Sequence, residues 1–112
     1  MSMNIEEVGV TKAEYNIGDV IYHSHYDFRG VIVDVDARFS GDEEWYDDEE
    51  GVKAPKDAPW YHVLIDEDTT MAYVAEQSIR SDPSDIEVIH PMINDVFTRT
   101  SSGKYMLRQI VN

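Results

Sequence analysis

Hydrophobic and polar residues alternate most regularly in the stretch "RGVIVDVD", residues 29–36. Side chains of an extended chain point alternately to its two faces, so the three valines of this stretch share one face. Ile32 shares the other face with Asp34 and Asp36. The pattern therefore predicts a β-strand with one apolar face and a second face that becomes acidic towards its end.

Four further stretches have the composition of short strands: "YNIGDVIYHS", "WYHVLID", "MAYVAE" and "IEVIH". The residues "EDTT" between the second and third of these are typical of a hairpin turn. Five short strands with almost no helix predict a small all-β domain. We expect the sheet to close into a barrel, because closure removes the exposed edges of short strands.

The length of 112 residues corresponds to one domain. Residues 1–14 lack a clear periodicity and are predicted to form a flexible arm, followed by the barrel domain at 15–97 and a C-terminal tail at 98–112. A long loop contains Pro55 and Pro59, which exclude a continuous helix or a central strand there. After Pro91, apolar residues at near-helical spacing predict a short helical or irregular segment.

The net charge is −14, from 23 acidic and nine basic residues. The loop stretch "GDEEWYDDEE" alone carries seven carboxylates, whereas the chain after Asp95 has no acid and contains Arg99, Lys104 and Arg108. This charge disfavours DNA, RNA and anionic membranes as partners and favours basic proteins.

The chain contains no cysteine, which fits a reducing compartment and excludes disulfides and cysteine-bound zinc. Its N-terminus lacks the basic start and apolar run of a signal peptide. No stretch approaches the roughly 20 apolar residues that span a bilayer. We therefore expect a cytoplasmic protein without membrane contact.

Two groups of residues carry side chains of the types that bind metals. Asp34 and Asp36 could hold a hard cation or share a proton, or they could simply face solvent, which is the interpretation we prefer. His23 and His25 share a strand face, but a zinc site needs a further ligand, which the sequence does not place nearby. We predict no metal and no cofactor, and we expect His62 to pack and donate to a backbone carbonyl.

No nucleophile elbow, phosphate-binding glycine loop or zincin motif is present, so the sequence predicts a protein that is not an enzyme.

Aromatic residues are more informative, and they fit either packing or a binding groove. Because Trp60 and Tyr61 are consecutive on a strand, we expect one to point inward and the other outward. The candidate protein-binding residues are Phe28, Arg29, Trp45, Tyr46, Trp60, His62 and Tyr73.

Trp45 and Tyr46 lie inside the acidic stretch and raise the question of what covers them. One hypothesis is that Trp45 folds back and anchors the loop over the barrel, which leaves an electronegative rim beside an aromatic surface. Such a rim suits a basic or unfolded protein segment. The alternative is a mobile, solvated loop without a partner.

Several stretches carry a family resemblance in this order: "YNIGDVIYHSHYDFRGVIVDVD", "EEWY", "PWYHVLID", "AYVAEQSI" and "HPMINDVF". Together they resemble the YccV-like, or hemimethylated-DNA-binding, family from about Tyr15 to Phe97. The resemblance implies a small SH3-like β-barrel without enzymatic activity. It also implies two roles: binding of hemimethylated DNA near the replication origin, which affects the replication initiator, and action as a specificity factor for the Lon protease during heat stress.

The chain departs from the family pattern in its charges. Many relatives have arginine or lysine beside the histidine that matches His23, whereas here its neighbours are Tyr22 and Ser24. Asp27 precedes Phe28 where others have proline. Each change removes positive charge or adds negative charge near the strand that would approach a phosphate backbone.

The two implied roles make different demands on the surface. DNA binders typically make six to ten phosphate contacts, and only nine basic residues are spread along this chain. The candidate DNA-binding residues are Arg29, Arg99, Lys104 and Arg108. The charge favours an adaptor in Lon-type proteolysis, with client proteins such as the replication initiator as partners and with self-association adding avidity. Weak binding of hemimethylated DNA is the alternative.

Overall fold

The structure, a computed structural model, describes residues 12–48 and 54–108. Its strands are β1 (Val20–His23), β2 (Phe28–Asp36), β3 (Trp60–Ile65), β4 (Met71–Ala75), β5 (Ile79–Ser81), β6 (Phe97–Arg99) and β7 (Tyr105–Leu107). Its helices are α1 (Glu43–Asp48), a 3-10 helix (Glu76–Ser78) and α2 (Ile93–Val96). The described part of the chain is thus mostly β, as the sequence predicts.

The first five strands form one antiparallel sheet in the order β4-β3-β2-β1-β5, and β6 and β7 form a separate hairpin. The alternating stretch at 29–36 lies within β2, the nine-residue central strand. The pairing of β2 with β3 shifts register between Ile32 and Asp34, which marks a β-bulge. A bulge inserts one extra residue and redirects the side chains that follow it.

Because of this bulge, the predicted assignment of β2 side chains to two faces is wrong beyond Val33. Ile32 belongs to a core cluster on one face of the sheet. Asp34 instead pairs with His62, whose strand neighbours Tyr61 and Val63 point into that cluster. The two aspartates therefore share a face with His62 and lie opposite Ile32.

Both faces of the sheet are covered. One face carries a cluster with members from all five strands: Ile21, Ile32, Tyr61, Val63, Val74 and Ile79. The other face packs against α2 and the β6–β7 hairpin through Val31, Leu64, Val88, Ile93, Phe97 and Tyr105. Each large apolar side chain fully buried in these clusters contributes about 1.5–3 kcal/mol relative to its exposed state.

The sheet is not closed into a barrel, so the prediction of a closed, SH3-like barrel is wrong in this respect. Between β4 and β5 the chain passes through the 3-10 helix, and no ladder joins these two strands within the described residues. Val74 of β4 and Ile79 of β5 nevertheless pack in one cluster. The sheet therefore curves around its core while its two edge strands stay unpaired with each other.

The stretch "IEVIH" does not form the predicted strand. Side chains satisfy several of its backbone groups, while the carbonyls of Ile89 and His90 accept the amides of Glu67 and Ile93. Arg29 donates to the carbonyls of Ile86 and Glu87. The amide of Val88 donates to the Tyr105 hydroxyl at 2.7 Å, and the amide of Ile89 donates to Asp66 at 2.7 Å.

The two ends of the described chain pack on the domain. Ala13 and Tyr15 contact the first core cluster, and Tyr105 of β7 is buried in the second. The remaining parts of the predicted arm and tail, at 1–11 and 109–112, lie outside the described residues. Within the described residues, no helix is long and apolar enough to cross a membrane.

Candidate functional site

The acidic loop contains the short helix α1, which the sequence did not predict. Asp42 starts it: its carboxylate accepts a hydrogen bond from the Glu44 amide at 2.7 Å, and its carbonyl accepts one from Tyr46 at 3.0 Å. Glu43 and Glu44 occupy the first turn, where negative charge interacts favourably with the helix dipole. Local capping thus orders an otherwise solvated acidic stretch.

Trp45 of α1 packs back on the sheet. Its ring centroid lies 6.1 Å from Phe39, 6.0 Å from Tyr73 and 6.2 Å from Trp60. The loop is therefore anchored on β3 and β4, in agreement with the anchor hypothesis. Trp45 still keeps 37% of its surface exposed, so that part of the indole faces solvent.

Two neighbouring contacts fix the rest of the loop. The Tyr46 hydroxyl donates to the carbonyl of Ala54 at 2.6 Å. The Lys56 ammonium lies 4.3 Å from the Tyr46 ring centroid and forms an ion pair with Glu43. A cation over an aromatic face stabilises by about 0.5–1 kcal/mol at an exposed site. These contacts close the loop around α1.

Trp60 and Tyr61 do point to opposite faces, but the expectation that one of them is exposed is wrong. Tyr61 is fully buried in the first core cluster. Trp60 is 2% exposed and packs with Ala54 and Ala75 beneath the acidic loop. The loop supplies the cover that a simple strand pattern does not include.

Asp36 is the centre of a polar network at the start of the acidic loop. Its Oδ2 accepts hydrogen bonds from Ser40 Oγ at 2.7 Å and from the Tyr73 hydroxyl at 2.7 Å, and it lies 3.1 Å from His62 Nε2. Partial burial opposes the charge of Asp36, but the hydrogen bonds from Ser40, Tyr73 and His62 outweigh it and lower its pKa.

His62 therefore contacts a carboxylate rather than the backbone carbonyl we expected. An ionised carboxylate can only accept hydrogen bonds, so the imidazole is the donor and its Nε2 carries the proton. The imidazole also packs 4.6 Å from the Tyr73 ring centroid. Three of the predicted binding residues, His62, Tyr73 and Trp45, thus lie in one continuous group.

A small cleft lies next to this group. It has a volume of about 30 Å³, and its lining includes His23, Tyr26, Trp45, Trp60 and Tyr73. Two of these aromatic side chains remain open to solvent, because Tyr26 is 49% and Trp45 37% exposed. The cleft is large enough for about one water or one small group, so the exposed rings, rather than a deep pocket, form the contact surface.

Tyr26, which is not among the residues predicted from the sequence, lies in the polar connection between β1 and β2. The buried ring of His23 stacks against Tyr26 at 5.1 Å and against Phe28 at 5.0 Å, and its Nδ1 accepts the Tyr26 amide. Phe28, a predicted binding residue, therefore does not line the cleft itself but packs against His23, which does. No feature of the connection predicts that Tyr26 approaches Trp45.

Acidic residues belong to the same segments as the two exposed rings. Asp27 follows Tyr26, and Asp42, Glu43 and Glu44 begin α1; all four are exposed. We call this surface, made of Tyr26, Trp45 and these four acids, the acidic aromatic face. It combines two exposed rings with four exposed acidic side chains, of which Glu43 is paired with Lys56.

Arg29 has a different environment from the one expected for a cation at a binding rim. Its guanidinium donates to Asp66 at 2.7 Å and to Asp82 at 2.8 Å, besides the carbonyls of Ile86 and Glu87. Burial opposes the charge of Asp82, but hydrogen bonds from Arg29 and Ser84 outweigh it and lower its pKa. Arg29 connects the segment after β5 to the sheet.

The other candidate DNA-binding residues lie together. Arg99, Lys104 and Arg108 all line an open groove of about 800 Å³ between the β6–β7 hairpin and the segments before β1 and after β5. Asp19, Asp82 and Asp85 line the same groove, together with Ile17, Ile86, Met106 and Leu107. The cations are thus gathered in space, but acids face them.

These features define a small β-sheet domain with an aromatic cleft, whose exposed rings belong to acidic segments, and with a separate groove of mixed charge. Residues 13–104 match the family model described as "Hemimethylated DNA-binding protein YccV like". The chain belongs to this YccV-like family. The match covers most of the chain, and it agrees with the resemblance found in the sequence.

Proposed function

We propose that the protein is a non-enzymatic regulator of the HspQ type, which acts as an adaptor or specificity factor in Lon-type ATP-dependent proteolysis during stress. The acidic aromatic face is the observation that carries this proposal. Its two exposed rings, Tyr26 and Trp45, offer apolar contact area, and the acids beside them favour a basic partner. Aromatic side chains are enriched among the residues that dominate binding energy at interfaces.

The occupant that this face suits is a basic, unfolded segment of a client protein. The net charge of −14 attracts such a segment and speeds its encounter with the face. Ring contacts would then hold apolar residues of the segment. An adaptor needs only weak contacts of this kind, because the protease performs the chemistry.

A degradation assay tests this function. We would measure the rate at which a Lon-type protease degrades a basic, unfolded client with and without the protein. We expect the wild type to accelerate degradation and the variant Tyr26→Ala/Trp45→Ala to lose most of this effect. Ile89→Ala is the matched control, since it removes another exposed apolar side chain away from the face. Equal acceleration by the double variant would contradict the proposal.

A second candidate function is binding of hemimethylated DNA near the replication origin, with an effect on the replication initiator. It is favoured by the family of the chain and by the three cations of the open groove. Three phosphate contacts predict weak binding that falls steeply as salt increases.

Anisotropy titrations with hemimethylated, fully methylated and unmethylated duplexes at several salt concentrations test this alternative. Preferential binding of the hemimethylated duplex at physiological salt, abolished by Lys104→Glu, would make DNA recognition the primary function. No binding above low salt would leave the adaptor function as the stronger account.

A further inference from the structure

The side chains of Asp34, Asp36 and His62 converge at the start of the acidic loop, and we propose that they bind a divalent first-row transition metal ion such as Zn²⁺ or Co²⁺. One ligand atom from each residue lies within 4.8 Å of the others. His62 Nε2 and Asp36 Oδ2 are already 3.1 Å apart. This mixed set of two carboxylates and one imidazole is independent of the proposed adaptor function.

The β-bulge in β2 creates this arrangement. Asp34 is the cross-strand partner of His62, and the register shift comes directly before it. Without the extra residue, both aspartates would share the face of Ile32 and point towards the apolar core. Bulges are common beside functional sites because they redirect side chains in this way.

The spacing requires little movement to hold an ion. Zinc bonds to oxygen and nitrogen are about 2.0–2.2 Å long, so tetrahedral ligand atoms stand about 3.3–3.5 Å apart. The pair His62 and Asp36 is already close to this spacing. Only the carboxylate of Asp34 has to move closer to the other two ligand atoms. Its side chain is exposed, and its Oδ1 accepts a hydrogen bond from the Val35 amide.

The surroundings of Asp36 fit a metal ligand. Ser40 Oγ and the Tyr73 hydroxyl each donate to Oδ2 at 2.7 Å and hold the carboxylate in place. Such supporting hydrogen bonds typically change metal affinity by 10–100-fold. The ion would bind the Nε2 lone pair of His62, and the single proton of the neutral imidazole would move from Nε2 to Nδ1.

The donor set selects the class of metal. Magnesium and calcium prefer sites made of oxygen atoms alone, whereas imidazole with carboxylates suits Zn²⁺, Co²⁺ and Ni²⁺. Three protein ligands leave at least one coordination position for water. Asp36 and His62 are partly buried, with 23% and 32% of their side chains exposed, so the site is open enough for an ion to enter.

Titration of the full chain, without a polyhistidine tag, tests this site. We would add CoCl₂ and follow the visible absorption of bound Co²⁺, and we would add ZnCl₂ in a calorimeter. We expect one equivalent of metal to bind with micromolar affinity. His62→Gln and Asp34→Asn should each weaken binding at least tenfold, and Tyr73→Phe about tenfold.

His25→Gln is the matched control, because His25 is an exposed histidine outside the cluster. It should bind Co²⁺ as the wild type does. If His62→Gln fails to fold, Asp34→Asn still tests the site. We expect Asp34→Asn to fold, because Asp34 is exposed and asparagine can keep the hydrogen bond with the Val35 amide. An absence of absorption and heat up to millimolar metal, or wild-type affinity in Asp34→Asn, would overturn the proposal.

Discussion

The indole of Trp45 lies against the indole of Trp60, with ring centroids 6.2 Å apart and ring planes inclined by 71°. Trp60 belongs to β3 and is buried, whereas Trp45 belongs to α1 and is partly exposed. This contact attaches the most acidic segment of the chain to the sheet. It explains how aromatic residues can lie within a run of carboxylates, and it leaves 37% of Trp45 exposed.

Because the loop is anchored on the sheet, we expect the indole of Trp45 to be partly protected from quenchers in the solvent. In a Trp60→Phe variant, Trp45 is the single remaining tryptophan of the two in the chain. We expect acrylamide to quench its fluorescence clearly less than it quenches free indole, because three rings cover part of its surface. Quenching equal to that of a free tryptophan would show that the loop is detached.

Removal of the anchor should also cost stability. Full burial of tryptophan makes Trp→Ala cost about 3–5 kcal/mol, so for the partly exposed Trp45 we expect Trp45→Ala to lower the free energy of unfolding by about 2 kcal/mol. Urea denaturation measures this change. A control substitution, Ile89→Ala, removes an exposed side chain and should change the stability by less than about 0.5 kcal/mol.

Arg29 is expected to matter for stability rather than for binding. Arg29→Met removes the partner of Asp66 and Asp82 and leaves both carboxylates partly buried without it, so we expect a loss of about 3 kcal/mol. Arg80→Met provides the comparison, since Arg80 is exposed and contacts the Tyr22 ring at 5.0 Å. Equal effects of the two substitutions in urea denaturation would contradict this role of Arg29.

Part of the acid dependence of stability follows from Asp36 and Asp82. Hydrogen bonds lower both pKa values in the folded state, in each case against partial burial. Their contribution is therefore fully present above the unfolded pKa of about 3.9 and disappears as the pH falls through the lower folded values. We would measure thermal unfolding between pH 7 and pH 2.5. The melting temperature should decrease once the pH is lower than about 4.

Asp36→Asn tests the assignment, because it removes one of the two groups. Its melting temperature should be lower than that of the wild type at pH 7, and the difference should shrink at pH 2.5. A difference that stays constant over this range would mean that the charge of Asp36 does not stabilise the fold.

Close packing of β2 on β3 predicts that Gly30 tolerates no side chain. An added Cβ would stand 2.3 Å from the Leu64 carbonyl oxygen, which is backbone and cannot move freely. We expect Gly30→Ala to destabilise by about 3 kcal/mol or more. In Gly103→Ala the nearest atom is 3.4 Å away on a flexible arginine, so only the strain at φ +90° remains and the loss should be about 1 kcal/mol.

Much of the fold could be predicted from the sequence, because the strands with strong alternation depend on local pattern alone. The bulge at Val33 could not, since it is set by pairing with β3, and it reversed the faces assigned to Asp34 and Asp36. Closure of the sheet also depends on distant contacts. The alternation of apolar and polar residues does not predict that the 3-10 helix at Glu76–Ser78 separates β4 from β5.

The candidate site was predictable to a similar extent. Trp45, Trp60, His62 and Tyr73 were identified by residue type and meet in the structure. Tyr26 was missed because its approach to Trp45 depends on the β1–β2 turn. Arg29 was placed at a rim because the sequence does not reveal that Asp66 and Asp82, 37 and 53 positions away, surround it.

Binding of a labelled basic peptide tests the central claim most directly. We would titrate the protein into a fluorescent, unfolded peptide that contains lysine, arginine and aromatic residues, and follow its anisotropy at physiological salt. We expect binding that weakens at least tenfold in Tyr26→Ala/Trp45→Ala and that is absent for a peptide with glutamate in place of the basic residues. Equal binding of both peptides, or no effect of the double substitution, would contradict it.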